Sequence, residues 1–166
     1  MGVTGDINGM KKLADQIREL TTAGFKLELS QVLAAAAMKQ VADEFRQSRD
    51  PYGNQWKRPV LRNGQPLLDT GRMRNAVSVE ARPNGFRLRI ATRYAVTHQY
   101  GATISPRNAK ALRFKAGGRY YTLKRVTIPR RQMLPEADTG RLGPIWTEAF
   151  NREAASLIQR RLGKAA

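Results

Sequence analysis

The side chains that could do chemistry in this sequence are few, and His98 is the first to test. It is the single histidine, and cysteine is absent, so one chain cannot assemble a histidine-based metal cluster or a thiol nucleophile. A pairing of His98 with a serine and an aspartate would need a nucleophile elbow, and no serine has the flanking glycines of one. The expectation for His98 is structural: a ring hydrogen-bonded on a short helix beside Tyr94. Among the sparse acidic residues, Asp69 reads as a helix cap rather than a general base, and Glu80 lies among arginines. Ala116-Gly117-Gly118-Arg119 has glycines that could cradle a phosphate. It lacks the Gly-Lys-Ser/Thr ending, however, and sits between two strand-like runs rather than between strand and helix. No catalytic residue, no metal site and no cofactor is expected.

The chemistry left is electrostatic. Thirty Lys and Arg face 13 Asp and Glu, a formal net charge of +17. Solubility alone favours magnitudes of about 2–8 in a small domain, so the excess points to an anionic partner. Arg113, Lys115, Arg119, Lys124 and Arg125 are the densest candidates for that contact. Zinc ligands, a heptad zipper and a helix-turn-helix pair are all missing, which argues against base-specific reading of DNA. Contact with a phosphate backbone, carried by charge, fits better. Without cysteine there are no disulfides, as suits a reducing cytoplasm. Met1 to Asp6 lacks the charged and apolar regions of a signal peptide. The most apolar run, Val32 to Met38, is far too short to cross a bilayer, so a soluble protein with no membrane partner is expected.

These residues need elements to hold them, and 166 residues suffice for one domain with its own core, spanning 1–166. Met10, Leu13, Ile17 and Leu20 share one face of a first helix, capped by Asp6 or Asn8. Gly24 interrupts the pattern. A long second helix is expected to begin near Leu27 to Ser30, with Leu29, Leu33, Ala37, Val41 and Phe45 on its buried face and four alanines allowing a close neighbour. Asp50-Pro51-Tyr52-Gly53 ends it in a turn, and Trp56 is expected as a core anchor. Asp69 and Thr70 would cap a short helix from Gly71 to Ala76. Val77, Val79 and Ala81 alternate with polar residues, as do Phe86, Leu88 and Ile90 beyond Pro83-Asn84-Gly85. They predict a hairpin with one buried face and Arg82, Arg87 and Arg89 on the other. Tyr94 to Tyr100 fits one or two helical turns closed by Gly101.

A second hairpin is expected across Gly117-Gly118, a basic arm at about 107–126 with Leu112, Phe114, Tyr121 and Leu123 turned inward. Thr127 to Pro135, bracketed by prolines, reads as an extended connector. Pro144 suits the first turn of a last helix at about 144–162, striped by Ile145, Trp146, Ala149, Phe150, Leu157 and Ile158. The fold class is therefore α+β: N-terminal helices and a C-terminal helix packed on a mainly antiparallel sheet built from two hairpins.

Four stretches in order carry a family resemblance. They are Asp50-Pro51-Tyr52-Gly53-Asn54-Gln55-Trp56, Leu68-Asp69-Thr70-Gly71-Arg72-Met73, Tyr94-Ala95-x-x-His98-Gln99-x-Gly101 and Ile128-Pro129-Arg130-Arg131-Gln132-Met133-Leu134. Together they resemble the phage virion-morphogenesis family, the tail-completion proteins of tailed bacteriophages. Met73 stands where a leucine is commoner, 57–66 is short, and 107–121 resembles an enlarged loop. The resemblance implies structural roles for Gly53, Trp56, Asp69, Thr70, Gly71, Tyr94, His98, Gln99 and Gly101. It also implies a non-catalytic protein that completes the tail and helps join it to the head, as a tail terminator or neck component in a homo-oligomeric ring.

Its partners would then be the tail tube or sheath and the head–tail connector, with non-specific contact to genome DNA in the lumen. Its place would be the tail or neck of the virion, after assembly in the host cytoplasm. Arg130, Arg131, Met133 and Leu134 are candidates for the subunit or neighbour interface, the last two suiting insertion into a partner's groove. A stand-alone non-specific nucleic-acid-binding module is the alternative.

Overall fold

Thr22 sets the helix on which the rest of the chain is laid. In the computed structural model, which describes residues 8–136 and 141–164, α1 (Asn8–Leu20) leads directly into α2 (Ala23–Gln47). The Thr22 hydroxyl accepts the Phe25 N–H at 3.2 Å, a cap that starts α2 about one turn before the expected Leu27–Ser30. Gly24 is thus tolerated in the first turn rather than breaking the helix. Of the two caps expected for α1, Asp6 lies outside the described residues and Asn8 is already inside the helix.

α2 packs against the hairpin of β1 (Val77–Arg82) and β2 (Gly85–Ile90) and against the closing helix α5 (Pro144–Lys164). The β1–β2 register pairs Val79 with Leu88 and Ala81 with Phe86, which turns the alternating apolar residues to one side as expected. Ser78, Glu80, Arg87 and Arg89 are exposed on the other side. Between the layers, Ala37, Val41 and Phe45 meet Trp56, Met73, Val77, Ala95, Met133 and Trp146. Phe45 stands edge-on to Trp56, and Phe150 edge-on to both Trp146 and Phe86.

The α+β class holds, with the strands among the described residues in three separate two-stranded antiparallel ladders. α3 (Arg72–Asn75) precedes β1, and α4 (Ala95–Tyr100) leads through Gly101 into β3 (Ala102–Ile104). The second hairpin, β4 (Leu112–Ala116) with β5 (Arg119–Leu123), turns on Gly117 and Gly118. Their φ values of 56° and 82° are the left-handed pair that a tight two-residue hairpin requires. The connector expected from Thr127 starts as a strand instead: β6 (Val126–Ile128) pairs with β3, Thr103 opposite Thr127. That pairing closes the chain around the basic hairpin and returns it to the core.

α1 departs from expectation. Its apolar face is largely uncovered, with Leu13 56% and Ile17 54% exposed, and Leu20 half-buried. The helix is tied to α5 by polar contacts: Gln16 donates to the Leu162 carbonyl, and Arg161 pairs with Glu19 and with Glu28 of α2.

Candidate functional site

The four family stretches meet at one seam, where the segment after β6 runs along α4 and past Trp56. Gln99, buried on α4, makes the seam. Its side-chain oxygen accepts the N–H groups of Met133 (2.8 Å) and Leu134 (3.1 Å), and its amide donates to the Leu134 carbonyl at 2.8 Å. Trp56 Nε1 donates to the Gln132 carbonyl at 2.8 Å, and the Arg131 N–H to the His98 carbonyl at 2.7 Å. A segment with no ladder of its own thus has its buried backbone groups satisfied by residues far away in sequence. Upstream, Asp50 organises the Gly53 turn by accepting the Tyr52 and Asn54 N–H groups, which sets Trp56 at its place.

This seam corrects the interface expected at the connector. Met133 is 1% exposed and part of the protein's own core, and Leu134 packs against that core, so neither presents a side chain to a partner's groove. Arg131 is buried too, 7% exposed; its Nε donates to the Lys57 carbonyl at 2.7 Å and Nη2 to the Arg58 carbonyl at 3.3 Å. Arg130 remains exposed, paired with Glu136 and bonded to Gln132. Three consecutive buried residues, 131–133, override the alternation an extended segment would suggest.

Beside the seam lies a cavity of about 300 Å3 whose walls include Asp69, Thr70, Gly71, Tyr94, His98 and Arg131. Two expectations fail here. Asp69 does not cap α3: the cap position is Gly71 in a left-handed conformation, and only Thr70 reaches the first turn, its Oγ1 accepting the Arg72 N–H in a long bond of 3.5 Å. The left-handed step at Gly71 leaves Asp69 exposed at the cavity. The His98 ring, in turn, stands edge-on to Tyr94 with centroids 6.3 Å apart, but its buried Nδ1 has no hydrogen-bond partner. Burial, reinforced by the charges of Arg131 and Arg62, lowers the His98 pKa from its ordinary 6.5 and so favours the uncharged ring.

The basic arm divides in two. Register puts Arg113, Lys115, Tyr120 and Thr122 on one face of the β4–β5 hairpin. There the Arg113 and Lys115 cations lie 5.6 and 5.7 Å from the centroid of the Tyr120 ring, which is 69% exposed. Arg119 falls on the opposite face with Phe114 and Tyr121, which stack at 5.8 Å. Lys124 and Arg125 occupy the link to β6. All five cations are exposed. Tyr120 was not singled out from sequence, although period two from the Gly117-Gly118 turn already places it beside Lys115.

Among the described residues, no group of three or more His, Asp or Glu could hold a metal ion, and no helix is long and apolar enough to cross a membrane. Neither characterised proteins nor solved structures give a match. The model of the phage virion morphogenesis family does match, over residues 6–159, and it takes in all four stretches and the seam they build. The chain belongs to the phage virion morphogenesis family and so to the proteins that build phage particles.

Proposed function

We propose that this protein completes the phage tail and prepares it to join the head, acting as a non-catalytic ring of identical subunits at the tail terminus or neck. The observation that carries the reading is a contrast of surface with core. In a family of virion-building proteins, this chain spends its motif residues on locking its own fold and leaves α1 and the β4–β5 hairpin largely outside it. A ring would cover the apolar side chains of Leu13 and Ile17. The charge of +17 would lie against acidic neighbouring rings or against genome DNA in the lumen, with Arg130 and the five cations of the arm as contacts. On this reading its partners are the tail tube or sheath on one side and the head–tail connector on the other, and it assembles in the host cytoplasm.

The test is the mass of the protein in solution, alone and mixed with tails that lack it. A ring, or stoichiometric capping of tail ends, is the expected outcome. Deleting 112–123 should abolish capping while the remaining domain stays folded. A monomer that ignores tails overturns the proposal. One observation favours a second reading, a stand-alone nucleic-acid-binding module: the exposed Tyr120 between two cations is a surface on which a base can stack beside its phosphate. Such a module would hold DNA at physiological salt, with a steep salt dependence, whether or not tails are present.

A further inference from the structure

The cavity beside the seam contains an imbalance that the fold itself does not resolve. Arg131 is 93% buried, yet it forms no ion pair among the described residues; two of its five N–H groups are taken by backbone carbonyls. A buried guanidinium ordinarily has an anionic partner, because removing it from water is costly. Arg62, on the same wall, is likewise bonded to carbonyls, those of Asn63 and Gln65, and has no carboxylate partner among the described residues. His98 Nδ1 completes the set, a buried ring nitrogen without a partner.

We infer that this cavity is a binding site for a carboxylate, the side chain of a glutamate or aspartate presented by another protein chain. Arg131 and Arg62 supply the charge and the free N–H groups, and the His98 ring forms part of the same wall. Leu67, Met73 and Tyr94 provide apolar walls against which the methylenes of such a side chain can lie. The volume of about 300 Å3 is at the lower end of the range of small-ligand clefts, about 300–1,000 Å3. The planar carboxylate, with two acceptor oxygens, matches the guanidinium fork. Asp69 on the rim repels a doubly charged inorganic phosphate more than a single carboxylate, and the small cavity with its apolar walls suits the methylene stem of an acidic side chain better than the sugar–phosphate chain of a nucleic acid. Only the source of that side chain, an acidic neighbour in the tail or a second subunit, rests on the assembly reading.

Because His98 is the one histidine in the sequence, its ring gives an unambiguous NMR signal. The full chain is titrated with N-acetylglutamate α-amide, inorganic phosphate, sodium chloride at matched ionic strength and a single-stranded oligonucleotide. A saturable shift of the His98 ring signals by the carboxylate in the millimolar range is expected, weakened at least tenfold in Arg131→Gln and in Arg62→Gln. Lys39→Gln, exposed on α2 and outside the cavity walls, should change nothing. Arg62, half-buried in a loop, keeps the test decisive if Arg131→Gln does not fold. No carboxylate-specific shift, or the same shift with chloride, overturns the site. A response to phosphate and oligonucleotide but not to the carboxylate overturns it in favour of a nucleic-acid backbone. All of this is read on the isolated protein, so a failure to form rings leaves the result intact.

Discussion

The seam and the basic hairpin are both short extended stretches rich in arginine, yet they are held in opposite ways. At 129–134 every polar side chain that reaches inward finds a carbonyl or an N–H, and the segment is locked by Gln99, Trp56 and the chain around Lys57. At 112–123 the hairpin holds itself by its own ladder, a Gly-Gly turn and two cations over one tyrosine, while both faces keep solvent contact. Arginine type alone does not announce its role. In the seam a guanidinium serves as a donor bridging distant loops, whereas on the hairpin it remains a free charge. Substitutions that break the seam's own hydrogen bonds should therefore act first on stability, and those in the arm on binding alone.

The largest expected effect lies deepest in the locked half. Glu44 of α2 is buried and accepts the Trp146 Nε1 hydrogen bond on one oxygen while the other has no partner; burial raises its pKa from 4.5 to about 8. Between those values the native state keeps a proton that the unfolded chain has released, so stability is highest below pH 4.5 and falls as pH rises toward 8. The loss through Glu44 is on the order of 4 kcal/mol. Glu44→Gln retains the acceptor for Trp146 and removes the titration. Denaturant melts of the two proteins should nearly coincide at low pH and separate in favour of the variant toward pH 8. Parallel curves would place the carboxyl in contact with water.

Next comes the junction of the turn with α5. A Cβ built on Gly143 would lie 2.0 Å from the Pro51 carbonyl oxygen, a backbone atom that cannot swing aside. Gly143→Ala should cost about 3 kcal/mol, read as a lower thermal midpoint. Gln99→Ala follows at about 2 kcal/mol, since it strands the N–H groups of Met133 and Leu134, while the Leu134 carbonyl keeps the Gln132 amide. Its loss should raise amide exchange at Met133 and Leu134 ahead of the rest of the chain. A uniform rise would mean that the seam unfolds only with the whole domain.

How much of this was legible beforehand follows from how local each signal is. The β1–β2 hairpin, the glycine turn at 117–118 and the stripe on α5 rest on periods of two and 3.6 and on turn chemistry, and they stand as read. Thr22 was legible as a cap but was hidden by the weight given to Gly24. The seam was not legible: Gln99 and Leu134 are 35 residues apart, and nothing local to either announces the other. Arg130 and Arg131 are a doublet of identical residues, and only the tertiary structure decides which one is buried. An amphipathic α1 was legible as well, but a pattern states that an apolar face exists, not what covers it.

The smallest effect on stability is the sharpest test of the comparison. Arg113→Gln with Lys115→Gln removes two exposed cations that bond to nothing in the core, and it should change the folding free energy by no more than about 0.5 kcal/mol. If these two side chains contact phosphates, the slope of log affinity against log salt for duplex DNA should become shallower by about 2. Tyr120→Ser should leave that slope alone and weaken single-stranded DNA more than duplex, because stacking is uncharged and needs an unpaired base. An unchanged slope in the double variant would move the phosphate contact away from the arm. Arg87 and Arg89 on the outer face of β1–β2 would then be the next cations to neutralise, and the arm would be left for contacts between proteins.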